Sequence, residues 1–169
     1  MTFNLWSIGA FNNGGPWDTT APVWRLMAFD DLRVNVLYEM LRLRSEVFVV
    51  EQQCVFQDID GFDREAMHLM GVQHNELQAY ARCFGPGVKF AEASIGRVLT
   101  RQSARGTGLG HALIDQAVSA VSQVWGPQAI RIGAQMQLAG FYAKHGFAEV
   151  GKTYLEDGIP HLEMLRPAT

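Results

Sequence analysis

The chain has 169 residues, 48% hydrophobic and 18% charged, which suits one domain with a real buried core. That balance excludes a disordered or fibrous chain. A formal net charge of -3 and a pI of about 5.9 exclude a general nucleic-acid surface, which needs a basic stripe.

Residues 1–22 carry Asn12-Asn13-Gly14-Gly15-Pro16 and little periodicity, and are expected to form an N-terminal extension on a domain spanning 23–169, with Trp6 and Trp17 available to pin it. The segment has neither the basic nor the apolar region of a secretory signal, and no stretch of the chain approaches the roughly 18 apolar residues of a membrane span. A cytoplasmic protein with no membrane contact is the expectation. Val23 to Phe29 reads as a first strand, and Asp30 or Asp31 as the cap of a helix with apolar positions Val34, Leu37, Tyr38, Leu41 and Val47–Phe48. The end of that helix is ambiguous, because Val47 to Val50 is β-branched and aromatic.

A polar, acidic loop follows over residues 52–65, then strands at Met67–Val72 and Leu77–Phe84 joined by a turn at His74-Asn75-Glu76. Gly85-Pro86-Gly87 breaks the chain and Ala93–Thr100 resumes as a strand. A long helix is expected from about Ala104 to Trp125, with the stripe Leu109, Leu113, Ala117, Val121 and Val124, ended by Gly126-Pro127. Ile130–Ala134 is a short buried strand, Leu138–Lys144 a short helix stopped by Gly146, and residues 148–155 and 161–166 are two strands around Asp157-Gly158. This order predicts an α/β (α+β) domain with a mixed, mainly antiparallel sheet flanked by helices.

Cys54 and Cys83 fall outside every metal-ligand spacing, there is no HExxH, and no metal is expected. Asp58-x-Asp60-Gly61-x-Asp63 fails as a calcium loop, since the glycine comes too early and the closing glutamate is misplaced.

The segment Arg105-Gly106-Thr107-Gly108-Leu109-Gly110 lies between a strand and a long helix. Glycines let successive N–H groups point into one concavity, a helix N-terminus adds partial positive charge, and Arg105 can add a charge-assisted contact. Those properties suit a phosphate. A Walker loop would end in Gly-Lys-Ser/Thr, and a dinucleotide fingerprint would open the first βαβ unit; neither fits.

Arg105-x-x-Gly108-x-Gly110 after Arg97-Val98-Leu99-Thr100 resembles the acetyl-CoA motif of GNAT acetyltransferases. Phe141-Tyr142-Ala143-Lys144-His145-Gly146-Phe147 is similar to that family's later tyrosine-bearing helix. Leu43-Arg44-x-x-Val47-Phe48-Val49-Val50-Glu51-Gln52, Asp58-Ile59-Asp60-Gly61-x-Asp63, Gly133-Ala134-Gln135 and Glu156-Asp157-Gly158-Ile159-Pro160-His161 together resemble the ElaA-like branch, so that the likeness runs over about residues 24–166. It implies an acetyl-CoA-dependent N-acetyltransferase. Val98, Leu99 and Thr100 would border the pantetheine, and Arg105, Gly106, Thr107, Gly108, Leu109 and Gly110 would hold the pyrophosphate. Met136 stands where many members carry an asparagine, a role that either passes to Gln135 or is absent. Arg44-x-x-Val47-Phe48 and Asp60-x-Phe62-Asp63 also resemble acyl-homoserine-lactone synthases, which take acyl carrier protein and S-adenosylmethionine; the glycine turn points to CoA instead. A non-catalytic CoA-binding domain is the remaining alternative.

Amide formation from a thioester requires that the amine lose a proton, that the oxyanion be stabilised and that the thiolate be protonated. The resemblance puts Tyr142 beside the sulfur as the acid. Glu51, a carboxylate at the end of an apolar run, is the candidate base. Asp58, Asp60, His68, Gln135 and His161 are candidate acceptor-binding residues, with the aspartates alternatively pairing with nearby arginines. The expected acceptor is a small-molecule or peptide amine, and a homodimer is left open.

Overall fold

A computed structural model describes residues 21–151 and 153–168; the extension predicted for residues 1–22 lies outside it as far as residue 20. Eight strands form one sheet: β1 (Val23–Ala28), β2 (Met67–Gln73), β3 (Glu76–Phe84), β4 (Ala93–Thr100), β5 (Ile130–Gln135), β6 (Ala148–Glu149), β7 (Tyr154–Glu156) and β8 (Ile159–Arg166). Their order is β1-β2-β3-β4-β5-β8-β6, with β7 paired to β8. Every pairing is antiparallel except β4 with β5. The helices are α1 (Val34–Arg44), α2 (Leu109–Trp125) and α3 (Ala139–Ala143). No helix among the described residues is long and apolar enough to cross a membrane.

Two clusters of buried side chains hold the helices to the sheet. Leu109, Leu113, Ile114, Ala117, Ala120 and Val121 of α2 pack with Leu69, Ala81, Ile95 and Ile132 of the strands. Val36, Met40, Leu43 and Val47 pack with Met70, Tyr80 and Leu99 in the second cluster. Each such aliphatic side chain contributes roughly 1.5–3 kcal/mol of transfer free energy.

Three helix boundaries depart from the sequence reading. Asp30 and Asp31 belong to a separate 3-10 turn, Phe29–Asp31, and α1 starts after Arg33 with no side-chain cap. Its buried face is Val36, Met40, Leu43 and Val47, whereas Val34 is 84% and Tyr38 66% exposed. The second set shares helical spacing with the first, and only contact with the sheet decides between them. Past Arg44 the chain widens into a π-helix over Ser45–Glu51, which resolves the ambiguous run at Val47–Val50. Helix α2 begins at Leu109 rather than Ala104, because Gly106 at φ 78° and Gly108 at φ 87° leave the helical path. Its stripe ends at Val121; Val124 is 41% exposed.

The turns follow the sequence. His74 and Asn75 both adopt positive φ between β2 and β3, as do Asp157 and Gly158 between β7 and β8, the conformation a two-residue hairpin turn demands. Gly126 at φ 82° ends α2.

Candidate active site

The sheet parts along its middle. Parallel pairing of β4 with β5 is confined to Ala93↔Ile130 and Ser94↔Arg131, after which the two strands diverge. On the other edge of β4, Arg82 pairs with Gly96 and Tyr80 with Leu99, so Ala81 alone faces both Arg97 and Val98. This β-bulge, with Arg97 at φ 51°, bends β4 away from β5. The result is a wedge with backbone on both walls. Val98, Leu99 and Thr100 line one wall, and β5 ends the other at Gln135.

The glycine turn follows directly on the β4 wall. The backbone N–H groups of Gly106, Thr107, Gly108, Leu109, Gly110 and His111 have no backbone acceptor among the described residues. Thr107 Oγ1 donates to Ala104 O at 2.8 Å and closes the loop below them. A Cβ on Gly106 or Gly108 would meet no atom, so these glycines are required by their positive φ and not by internal crowding. A concavity of unpaired N–H groups at the start of a seventeen-residue helix fits a pyrophosphate.

Arg105 is held in this turn by four bonds. Nε and Nη2 donate to Thr100 O at 3.3 and 3.1 Å, and Nη1 and Nη2 to the two Glu51 oxygens at 2.5 and 2.9 Å. Glu51, the expected base, thus shares its carboxylate with the Arg105 guanidinium. The pair ties the end of the π-helix to the glycine turn.

Tyr142 lies on α3, which leaves the free end of β5 through a 3-10 turn at Met136–Leu138. Its ring packs edge-on against Phe141 and Phe147. Its hydroxyl has no hydrogen-bond partner among the described residues, although burial pushes the phenol up to about 12. The hydroxyl is not itself among the fully buried unpartnered atoms of the described residues, so the ring is buried while its oxygen stays reachable.

Across β5 the register sets Gln135, His161 and Tyr154 in one row. The Tyr154 and His161 rings stack at 5.7 Å, and Tyr154 Oη covers Gly133, where a Cβ would lie 2.5 Å from it. Gln135 Nε2 reaches Gln52 Oε1 at 3.5 Å, and Cys54 Sγ reaches Asp157 O at 3.6 Å, so the loop after the π-helix meets the β7–β8 hairpin at the free end of β5. Two expected acceptor residues, Gln135 and His161, thus come together. Tyr154 is a neighbour that sequence reasoning missed, although a two-residue turn at Asp157-Gly158 already implies its pairing with His161.

The other three expected acceptor residues are placed elsewhere. Asp58 accepts from buried Arg44 at 2.9 Å and from Arg97 at 2.7 Å. Asp60 is gripped by Arg82 at 2.7 Å and Lys89 at 3.4 Å, and Asp63 joins Arg44 to Arg82 at 2.7 and 2.9 Å. Burial alone would raise the Asp60 and Asp63 carboxyls, but the arginine hydrogen bonds and charges hold both below the usual carboxylate range. His68 is fully buried: its Nε2 donates to Asp63 O at 2.9 Å and its Nδ1 accepts from Tyr80 Oη at 2.7 Å. Burial favours its neutral form. These groups are consumed in a scaffold that fixes the acidic loop to β3 and β4.

Two outcomes follow for this network. Arg44→Ala would leave Asp58 and Asp63 buried with one cation fewer, and is expected to cost about 3–5 kcal/mol in urea unfolding. Because Asp60 and Asp63 are depressed on folding, their contribution is fully present above the unfolded carboxyl value of about 3.9 and is lost as pH falls below it. Melts at pH 7 and pH 3 check the sign, and equal Tm values would contradict it.

Residues 42–166 match the family model for the acetyltransferase (GNAT) domain. Protein ElaA of Escherichia coli K12 is 39% identical over 145 residues, covering 85% of this chain and 95% of ElaA. Its crystal structure superposes with a TM-score of 0.80, covering 86% of this chain and 99% of that one. An acyl-CoA N-acyltransferase from Pseudomonas aeruginosa superposes with a TM-score of 0.82 at 40% identity, over 86% of this chain and 99% of that one. BjaI, a CoA-dependent acyl-homoserine lactone synthase, shares the fold with a TM-score of 0.73 at 14% identity, over 88% of this chain and 84% of its own.

Proposed function

As this chain belongs to the GNAT acetyltransferase family, we propose that it transfers an acetyl group from acetyl-CoA to a primary amine by direct attack within a ternary complex. The observation that carries this reading is the continuity of the divergent β4–β5 wedge with the unpaired N–H groups of Gly106 to His111. The cosubstrate supplies an acetyl group already activated as a thioester. Val98, Leu99 and Thr100 offer backbone to its pantetheine arm, and the turn from Gly106 to Gly110 cradles its pyrophosphate. Arg105, held by Thr100 and Glu51, keeps one Nη1 hydrogen for the same phosphates. A backbone N–H near Val98, on the bulged stretch of β4, stabilises the oxyanion. Tyr142 holds the proton that the departing sulfur takes. Gln135 and His161 border the acceptor, a small-molecule or peptide amine, and the chain works in the cytoplasm.

Incubation with acetyl-CoA and a panel of amines should release free thiol and yield an acetylated product by mass spectrometry. Tight CoA binding with no thiol release for any amine would leave a CoA-binding domain without catalysis. Release that depends on S-adenosylmethionine as acceptor would favour the synthase chemistry.

A further inference from the structure

We infer that His161 is the general base that takes the proton of the acceptor amine, an assignment that rests on the acyl-transfer reading above. The argument starts from the tautomer. His161 Nδ1 lies 2.8 Å from the carbonyl oxygen of Ile159, which can only accept, so the ring proton sits on Nδ1 and Nε2 carries the free lone pair. That is the state a base must be in before it acts. The ring is also fixed in direction: Tyr154 stacks on it, and its side chain is only 12% exposed.

Its position is the second step. His161 pairs with Gln135, the last residue of β5, from β8 on the edge of β5 opposite to β4, so it stands beside the free end of the strand that forms one wall of the wedge. Facing the ring are Tyr154 and Glu156 from β7 and Gln135 from β5. Glu163, two residues on along β8, is committed to Arg131 at 2.8 Å. Glu156 Oε2 lies 3.8 Å from Nε2, too far for a hydrogen bond but near enough to draw an ammonium group to that side of the ring. A cation drawn there presents an N–H to the lone pair.

The carboxylates that would compete are engaged. Glu51 is bound by Arg105, and Asp58, Asp60 and Asp63 are shared among Arg44, Arg82, Arg97 and Lys89. His68 has both ring nitrogens bonded. His111, His145 and Asp115 form a separate hydrogen-bonded chain on α2 and the end of α3.

The step balances as follows. The ammonium gives one proton to Nε2, and the freed lone pair attacks the thioester carbon to form the C–N bond. The C–S bond breaks with its electron pair on sulfur, which takes the Tyr142 hydroxyl proton. The second nitrogen proton is lost to solvent, which restores Tyr142, and His161 sheds its own proton to solvent. Ammonium and thioester become amide, thiol and one released proton.

His161→Gln removes the base while keeping a polar group in the row. kcat/KM for the amine should fall roughly 10²- to 10⁴-fold, the span of acid–base effects. Its acidic limb with pH should flatten, and CoA affinity by calorimetry should stay unchanged. Glu51→Gln should keep the limb. A His161→Gln variant with wild-type rate and limb, or a limb lost only in Glu51→Gln, overturns the assignment and leaves acyl transfer standing. ¹⁵N NMR of the resting protein should report the Nδ1–H tautomer, and an Nε2–H tautomer overturns the assignment whatever the activity. A wild type that binds CoA and transfers nothing removes the acyl-transfer reading, and this assignment with it.

Discussion

Gly108→Val is expected to weaken CoA binding by at least about a hundredfold, or roughly 2.7 kcal/mol, while the sheet stays folded. Gly108 sits at φ 87° immediately before α2, a conformation that a β-branched residue adopts only under strain of about 1–2 kcal/mol or more. No atom lies within 4 Å of where its Cβ would go, so the loss does not come from an internal clash. The valine either stays strained and presents its methyls to the incoming phosphate, or relaxes and swings the Leu109 and Gly110 N–H groups out of the cradle. Gly110→Ala is the control. That glycine has no positive φ, and its Cβ would meet the Phe141 ring at 3.7 Å, an ordinary contact. Calorimetry should therefore separate the two variants clearly. Equal affinities for Gly108→Val and wild type would put the pyrophosphate elsewhere.

The glycine turn was legible because its requirement is local: positive φ and unpaired N–H groups are properties of a few consecutive residues. The same holds for the hairpin turns at His74-Asn75 and Asp157-Gly158, and for β4, whose bounds match Ala93–Thr100. The buried face of α1 was legible only in part. Leu37, Leu41 and Val47–Phe48 of the expected stripe do meet the core, but Val34 and Tyr38 share their spacing and lie exposed while Val36, Met40 and Leu43 fill the cluster, a choice that lies in the sheet. The β-bulge at Gly96–Arg97 was hidden for a similar reason. Arg97 accepts φ 51° because its guanidinium bonds to Asp58 across 39 residues of sequence, a partner that no local pattern announces.

The acidic loop shows the same limit from the functional side. Asp58, Asp60 and Asp63 have the look of a cation-binding mouth when counted along the chain. In space each faces guanidinium groups, from Arg44, Arg82 and Arg97, and Lys89 adds its charge at Asp60. Buried carboxylates need such partners, and once paired they have little left for a substrate. The Arg44, Asp60 and Asp63 pattern that resembles lactone synthases is therefore scaffold in this chain. It secures the loop against β3 and β4, and says little about the acceptor. Gln135, which looked no more distinctive in sequence, ends the β5 wall of the wedge, and strand register sets His161 beside it on β8.

Tyr142→Phe is expected to lower kcat by between about tenfold and ten-thousandfold with no change in the shape of the pH profile. The ring packs on Phe141 and Phe147, and phenylalanine keeps that packing. Because the hydroxyl has no partner among the described residues, its removal breaks no internal hydrogen bond and Tm should barely move. The pH argument follows from burial. A phenol pushed up to about 12 keeps its proton throughout the range in which the enzyme can be assayed, so it is always ready to donate and never titrates in the profile. Such a phenol is a weak acid against a thiolate of ordinary pKa near 8.5, and full transfer would run uphill. The balance improves if the C–S bond breaks against the same buried ring, where desolvation raises the basicity of the nascent thiolate too. CoA affinity should be unchanged, since the hydroxyl acts on charge that exists only in the transition state. A variant with wild-type kcat would assign Tyr142 to packing. A variant that also loses the acidic limb would mean that Tyr142 and the base act on the same proton, a coupling that the separate places of α3 and β8 argue against.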